Sequence, residues 1–227
     1  MNEPAMDRAG LEIGGSTARL SCCDNSGVRD LVELAISAVA RHPAVTRVEL
    51  AGSRSRGTHE ELSDWDFAVD TSDFASVARH LPTLVEPLEP LAAQWEPLGH
   101  FPVYMLLLRG PTKVEYLFLD HSQETKPAVK PSPETLPAID AHFWDWIWWL
   151  ATKASVGRND LVKQHLPKLY RHLLEPTGAD TVPDSIEAAI RDFLVRRSQL
   201  ERQYGLEVSR ALEDEVRRGI RRLGYDV

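Results

Sequence analysis

Residues 49–70, ELAGSRSRGTHEELSDWDFAVD, join an apolar strand that ends in Gly-Ser, a polar loop, and a second strand that carries two aspartates. Side chains two residues apart in a strand point to the same face, so Asp64 and Asp66 lie side by side while Trp65 and Phe67 face a core. Adjacent carboxylates repel each other, and a divalent cation between them relieves that repulsion. Mg²⁺ prefers such oxygen ligands and needs few of them when substrate phosphates complete its shell.

The Gly-Ser pair at the end of the first strand suits contact with a phosphate. Gly52 has no Cβ, so backbone N–H groups and the hydroxyl of Ser53 can come close to a phosphate there. Arg54 and Arg56 are near enough in sequence to add positive charge. We therefore expect Gly52, Ser53, Arg54 and Arg56 to contact phosphate groups.

Two common phosphate-binding motifs do not match this stretch. Gly52 and Gly57 have the spacing of a P-loop, but Thr58 and His59 stand where Lys and Ser or Thr are required. No G-x-G-x-x-G motif follows a strand, which excludes a dinucleotide fingerprint.

Hydrophobic spacing elsewhere predicts an α+β fold in the first half of the chain, built around a small mixed sheet. The predicted elements are a helix from Gly27 to near His42, strands over 45–52 and 65–70, a proline-interrupted helix from Ser72, and a hairpin of strands over 102–109 and 113–120.

The second half is predicted to be helical throughout. Residues 121–140 hold four prolines, which is typical of a linker or crossover. Helical spacing follows over 138–156, 160–174 and 184–203, and a last helix carries Val208, Leu212, Val216 and Ile220 four residues apart. The resulting segments are a flexible leader (1–25), a mixed-sheet domain (26–122), a Pro-rich linker (123–137) and an all-helical bundle domain (138–227).

Composition limits the partners and the compartment. The 227 residues carry a formal net charge of −8, which disfavours a nucleic-acid partner because phosphate binding depends on Lys and Arg, and favours a cationic small molecule. The two cysteines, Cys22 and Cys23, are adjacent and have no other partner, which fits a reducing compartment. No secretory signal or membrane span is evident, so we expect a cytoplasmic protein with no membrane partner.

The spacing of the glycine and the acids resembles a known superfamily. Gly52-Ser53, ten further residues and Asp64-Trp65-Asp66 look like the signature of the polymerase-beta-like nucleotidyltransferases. That superfamily has a third acid on a later strand between apolar neighbours, and Glu115 is in the expected place. A small catalytic domain before a helical bundle is similar to the aminoglycoside and lincosamide adenylyltransferases.

The resemblance implies roles for these residues. Asp64 and Asp66 would hold Mg²⁺ that bridges the phosphates of a nucleoside triphosphate, and Glu115 would bind metal or act as the general base. The implied reaction is transfer of a nucleoside monophosphate, AMP from ATP, to a hydroxyl of a small acceptor such as an aminoglycoside or lincosamide antibiotic.

The aromatic helix predicted over 138–156 adds further candidates. Its four tryptophans and Phe143 cover so much of its circumference that we expect it to be buried between the two halves of the chain. Asp145 and Lys153 would border the cleft, Asp145 as an acid for a cationic acceptor and Lys153 as a contact to the triphosphate.

Two alternatives stay open. An enzyme of the toxin or antitoxin kind would adenylylate a protein side chain with the same carboxylates Asp64, Asp66 and Glu115. A non-catalytic nucleotide-binding module would keep the fold without turnover.

Overall fold

The computed structural model describes residues 25–227, so the expected leader up to residue 24 and both cysteines lie outside the described residues. The helices there are α1 (Asn25–Ala40), α2 (Gly52–Ser55), α3 (Phe74–Leu84), α4 (Leu136–Ser155), α5 (Asn159–Leu169), α6 (Ile186–Tyr204) and α7 (Ala211–Arg222). The strands are β1 (Val45–Leu50), β2 (Trp65–Thr71), β3 (Ala92–Trp95), β4 (Val103–Leu108) and β5 (Thr112–Leu117).

The five strands form one mixed sheet in the order β1-β2-β5-β4-β3. Strands β2 and β5 pair in parallel, and the other neighbours pair antiparallel. Strands β4 and β5 form the predicted hairpin, whose turn contains Gly110 at φ +104°. The α+β fold class, with a mixed sheet followed by helices, is confirmed.

The two faces of the sheet have different partners. One face packs on α1 and α3 through side chains that alternate along the strands, among them Phe67, Leu106 and Tyr116, all buried. The opposite face carries the acids of β2 and β5. On that face Leu107 of β4 belongs to the same apolar cluster as α4.

Helix α4 is the central element of the helical part. Twelve of its 20 residues are buried, and it contacts α5, α6, α7 and β3. The expected burial between the two halves is therefore confirmed. The rings of Phe143 and Phe193 stack at 3.8 Å between α4 and α6.

A buried ion network ties three helices of this part together. Arg197 of α6 donates to Asp140 of α4 and to Glu213 of α7, each at 2.6 Å. Glu213 also accepts from Arg217 at 2.9 Å. Because Arg197 is 3% exposed, its charge depends on these two carboxylates.

The structure differs from the sequence predictions in several local features. Strand β3 was not predicted, because AAQW lacks β-branched residues and is held by pairing with β4. Helix α3 begins at Phe74 rather than Ser72, because the side chain of Asp73 caps it by accepting from the N–H of Ser76 at 2.9 Å. It also continues through Pro82.

Two further boundaries lie elsewhere than predicted in the helical part. A π-helical turn, Tyr170–Leu174, continues α5 and completes the segment predicted as one helix. Val208 is buried but precedes α7, because its N–H bonds to the side chain of Glu201 at 2.9 Å. No helix within residues 25–227 is long and apolar enough to cross a membrane.

Candidate active site

The glycine that ends the first strand lies against the carboxylate of the second. Gly52 begins α2 at φ +64°, a backbone conformation that glycine adopts without strain. A Cβ at this position would stand 1.8 Å from Oδ2 of Asp66. The sequence therefore needs glycine here for two reasons, the left-handed backbone and the close approach of Asp66.

The parallel pairing of β2 and β5 brings the distant acid to the pair. Asp66 is in register with Glu115, so the two carboxylates are neighbours on one face of the sheet. Asp64 precedes β2 and interacts electrostatically with both Asp66 and Glu115. Asp64, Asp66 and Glu115, which lie about 50 residues apart in sequence at the widest, thus come together on the acid-bearing face, over the interior strands β2 and β5.

These carboxyl groups are costly to ionise where they lie. Burial, followed by the charges of Glu115 and Asp64, raises the pKa of Asp66 to about 6. Burial also raises the pKa of Asp64, against the opposing effect of Lys113. Binding of a cation would offset this cost.

Lys113 is a member of the cluster that the sequence analysis missed. Its Nζ lies 3.0 Å from Oε1 of Glu115 and 3.2 Å from Oδ2 of Asp145 on α4. Burial lowers its pKa, but Asp145, Glu115 and Asp64 together outweigh burial and hold the pKa well above the usual value. The signal was present in the sequence, because Lys113 is two residues before Glu115 in a strand and therefore shares its face.

Arg54 holds the loop between the Gly-Ser pair and the aspartates. Its guanidinium donates to the carbonyls of Glu61, Ser63 and Asp64 at 2.8–3.2 Å. It also lies 3.8 Å from the ring centroid of Trp65. These bonds engage Nε and Nη2 of Arg54, and its contact with a phosphate stays a prediction.

The other predicted phosphate contacts differ in their exposure and in their distance from the acids. Ser53 is half-buried directly after Gly52, and its carbonyl accepts from the N–H of Thr58 at 3.0 Å. Arg56 is exposed. Lys153 is half-buried, lies 5.6 Å from the ring centroid of Trp149 and is close enough to Asp64 to lower its pKa.

A cleft of about 350 Å³ opens beside Glu115, between the sheet and the helices. Its walls contain two tryptophans and two histidines, and its charged groups are three acids and two lysines. The lining side chains of these kinds are Trp146, Trp149, His142, His165, Glu96, Glu115, Asp145, Lys113 and Lys168.

The acids of the cleft are buried or half-buried. Asp145 is 4% exposed, and burial raises its pKa to about 6 against the lowering effect of Lys113. Burial raises the pKa of Glu96 as well. Burial lowers the pKa of His142 to about 4, so this imidazole is neutral at pH 7.

The carboxylates of Asp64 and Asp66 are the oxygen donors of this site that fit a divalent cation, as a pair rather than as part of a larger cluster. Within residues 25–227, no group of three or more His, Cys, Asp and Glu side chains is arranged to hold a metal ion. Glu115 is engaged with Lys113, whereas Asp64 and Asp66 are carboxylates whose burial and mutual repulsion a cation would relieve. The predicted third ligand, Glu115, is thus not part of a ready-made metal cluster.

Comparisons with known proteins give only distant likenesses. No protein-family model matches the chain, and no curated protein matches it at a significant level. It is similar to the crystal structure of an aminoglycoside 6-adenyltransferase from Bacillus subtilis, at 10% identity and a TM-score of 0.33, over 87% of this chain and 98% of that one. It is also similar to the polymerase core of TRAMP, an RNA surveillance complex, at 14% identity and a TM-score of 0.34, over 74% of this chain and 57% of that one. At TM-scores this low, the function of this chain has to be argued from its own site.

Proposed function

We propose that this chain is a Mg²⁺-dependent nucleotidyltransferase that transfers a nucleoside monophosphate, AMP from ATP, to a hydroxyl of a small molecule. The observation that carries the proposal is the register of the parallel strands, which sets Glu115 beside Asp66. The backbone of Gly52 packs against the same aspartate. This arrangement gives chemical meaning to the spacing of the Gly-Ser and Asp-x-Asp motifs in the sequence.

Asp64 and Asp66 would hold the Mg²⁺ ion. When bound, the ion would screen negative charge on the phosphate oxygens and on the departing pyrophosphate. Gly52 and Ser53 border the aspartates and would contact the triphosphate. Lys153, close to Asp64, would add a positive charge from the helical side.

Glu115 would serve as the general base. The acceptor hydroxyl oxygen forms a bond to the α-phosphorus, the bond from that phosphorus to its bridging oxygen breaks, and pyrophosphate leaves. The hydroxyl proton passes to Glu115, which lines the cleft beside Asp66. The role requires an acceptor hydroxyl within hydrogen-bond distance of this carboxylate.

The cleft supports a small acceptor. Its volume of about 350 Å³ is in the range of small-molecule sites. Three acids against two lysines leave one formal negative charge, and the side chains of Trp146 and Trp149 offer apolar contact. An acceptor with a positive charge beside an apolar face would fit, and an aminoglycoside or lincosamide antibiotic is the proposed class.

The test is pyrophosphate release from Mg²⁺-ATP with a panel of aminoglycosides, lincosamides and other hydroxylated antibiotics. We expect release that depends on one class of acceptor and is lost in Asp64→Asn, a protein that circular dichroism should find folded. Release that persists in Asp64→Asn would contradict the proposed site. Silence across the panel, followed by mass-spectrometric detection of an adenylylated co-expressed protein, would instead favour the protein-modifying alternative.

A further inference from the structure

The buried lysine of β5 is unusual for its position. Lys113 faces Leu107 across the β4–β5 pairing, on a side where the sheet meets the apolar cluster of α4. An apolar side chain would pack at this place. Instead Lys113, whose side chain is 6% exposed, places its ammonium group between Glu115 and Asp145.

Stability alone does not account for the Lys113–Asp145 pair. Replacing a buried ion pair by apolar residues of similar volume is often neutral or stabilising, because desolvation offsets the attraction between the charges. The pair also lacks full hydrogen bonding, because Oδ1 of Asp145 is buried with no hydrogen-bond partner among the described residues.

The geometry of the pair is directed at Glu115. Lys113 shares a strand face with Glu115, and Asp145 reaches the ammonium from α4, so the lysine is bound from the sheet and from the helices. One oxygen of Glu115, Oε1, is thereby fixed at 3.0 Å from Nζ. The carboxyl group of Glu115 is therefore shared between the ammonium of Lys113 and a side-chain hydrogen bond with Asp66.

We propose that Lys113, held in place by Asp145, is a positioning residue that fixes Glu115 for the acceptor and keeps its Oε1 engaged, so that this oxygen is not available to a cation at Asp64 and Asp66. The inference rests on the proposed function for the role of Glu115 and adds a role for the helical half in arranging the reacting groups.

The test compares Lys113→Met, Asp145→Asn and the double variant. Lys113→Met leaves Asp145 and Glu115 without their ammonium partner, and Asp145→Asn leaves Lys113 with Glu115 alone, so each single change should lower the free energy of unfolding. The double variant removes one positive and one negative charge, so the net charge of the site is unchanged and stability should recover in part, because Glu115 alone has then lost its ion pair. A purely structural pair predicts that turnover recovers with stability.

Positioning predicts a different result for the double variant. Pyrophosphate release should remain roughly 10- to 100-fold slower, with KM for ATP within about threefold of the original, because Glu115 is no longer held. Mn²⁺, titrated by electron paramagnetic resonance without ATP, should bind about tenfold more tightly, because the freed Glu115 joins the aspartates. Adding Glu115→Gln to the double variant should abolish this gain.

The Mn²⁺ titration separates this inference from the proposed reaction. If the original protein released no pyrophosphate with any acceptor, the proposed function would fail. The Mn²⁺ affinity of the double variant would still test the role of Lys113. Unchanged Mn²⁺ affinity in the folded double variant, or full recovery of turnover, overturns the inference. Lys113→Gln with Asp145→Asn provides a second version of the double variant, in which two amides can still hydrogen-bond, should the first not fold.

Discussion

At the scale of single residues, the site depends on a contact between a backbone and a carboxylate. Gly52 is in the left-handed region, and its Cα hydrogen points at Asp66, where a Cβ would overlap Oδ2. The loop contains a second glycine, Gly57, also left-handed at φ +67° but with no atom within 4 Å of its would-be Cβ. Comparing alanine substitutions at the two glycines therefore separates the effect of backbone strain from the effect of crowding at Asp66.

Gly52→Ala and Gly57→Ala are a matched pair. Both should lose about 1–2 kcal/mol of stability from the left-handed backbone. Only Gly52→Ala should displace Asp66, so we expect its pyrophosphate release to fall roughly 100-fold or more while Gly57→Ala stays within about threefold. Urea unfolding and turnover check the two effects, and equal losses of turnover in both variants would contradict the role given to Gly52.

The raised pKa of Asp66 leads to a prediction about how stability depends on pH. Its pKa is raised to about 6 in the folded protein from 3.8. Folding therefore disfavours the ionised form, and the resulting cost to stability is fully present above about pH 6 and disappears as the pH falls toward about 4. Because Asp66 is partly exposed, solvent reduces this cost to the order of 1 kcal/mol.

Asp66→Asn should thus be inactive yet more stable. We expect its Tm to rise by about 2–4 °C at about pH 8, and by clearly less at about pH 4.5. The control is Asp70→Asn, on the same strand face, which removes only an exposed ion pair with Arg47. Thermal unfolding without metal is the measurement. A rise in Tm that becomes larger at acidic pH would contradict the raised pKa of Asp66.

At the scale of elements, the spacing of hydrophobic residues predicted the long helices and the hairpin well, because that spacing reflects local geometry. It did not predict the features that depend on tertiary contacts. Strand β3 exists through its pairing with β4, and AAQW by itself carries no strand signal. The start of α3 depended on one capping side chain, Asp73.

The candidate site, too, could be predicted from the sequence only in part. The motif spacing predicted Asp64, Asp66 and Glu115, and the strand register brings them together. The partner of Lys113 could not be predicted, because Asp145 comes from a helix 32 residues away whose orientation depends on packing between the halves. The hydrogen bonds from Arg54 to loop carbonyls could likewise not be predicted, because they depend on how the loop folds back.

Helix α7 supplies a prediction for an element. Glycine inside a helix normally costs about 1 kcal/mol relative to alanine. At Gly219, however, a Cβ would stand 2.8 Å from Cγ of Pro111 in the hairpin turn and 2.8 Å from Trp148 on α4. We therefore expect Gly219→Ala to destabilise the protein by about 1–3 kcal/mol, opposite in sign to helix propensity.

Urea unfolding of Gly219→Ala measures this effect. Arg222→Ala, an exposed change in the last turn of the same helix, is the control and should stay within about 0.5 kcal/mol. A gain in stability for Gly219→Ala would mean that α7 does not pack this closely on the hairpin.

At the scale of the whole molecule, the sheet and the helices have separate apolar clusters that are joined at several places. Gly110 donates its N–H to Glu215 of α7 at 3.1 Å, and Lys113 bonds to Asp145 of α4. Leu107 of the sheet is part of the helical cluster. The site lies between the two clusters, so its geometry requires both to be folded.

These connections predict that the two halves unfold as one unit. Hydrogen exchange measured by mass spectrometry should give the same opening free energy, within about 1 kcal/mol, for peptides from β5 and from α4. Gly219→Ala should lower both values by equal amounts although it changes only α7, because the stability of a cooperative unit is shared by all its parts. If protection fell in the helices alone, the halves would be independent, and the contact between Lys113 and Asp145 would open without unfolding the sheet.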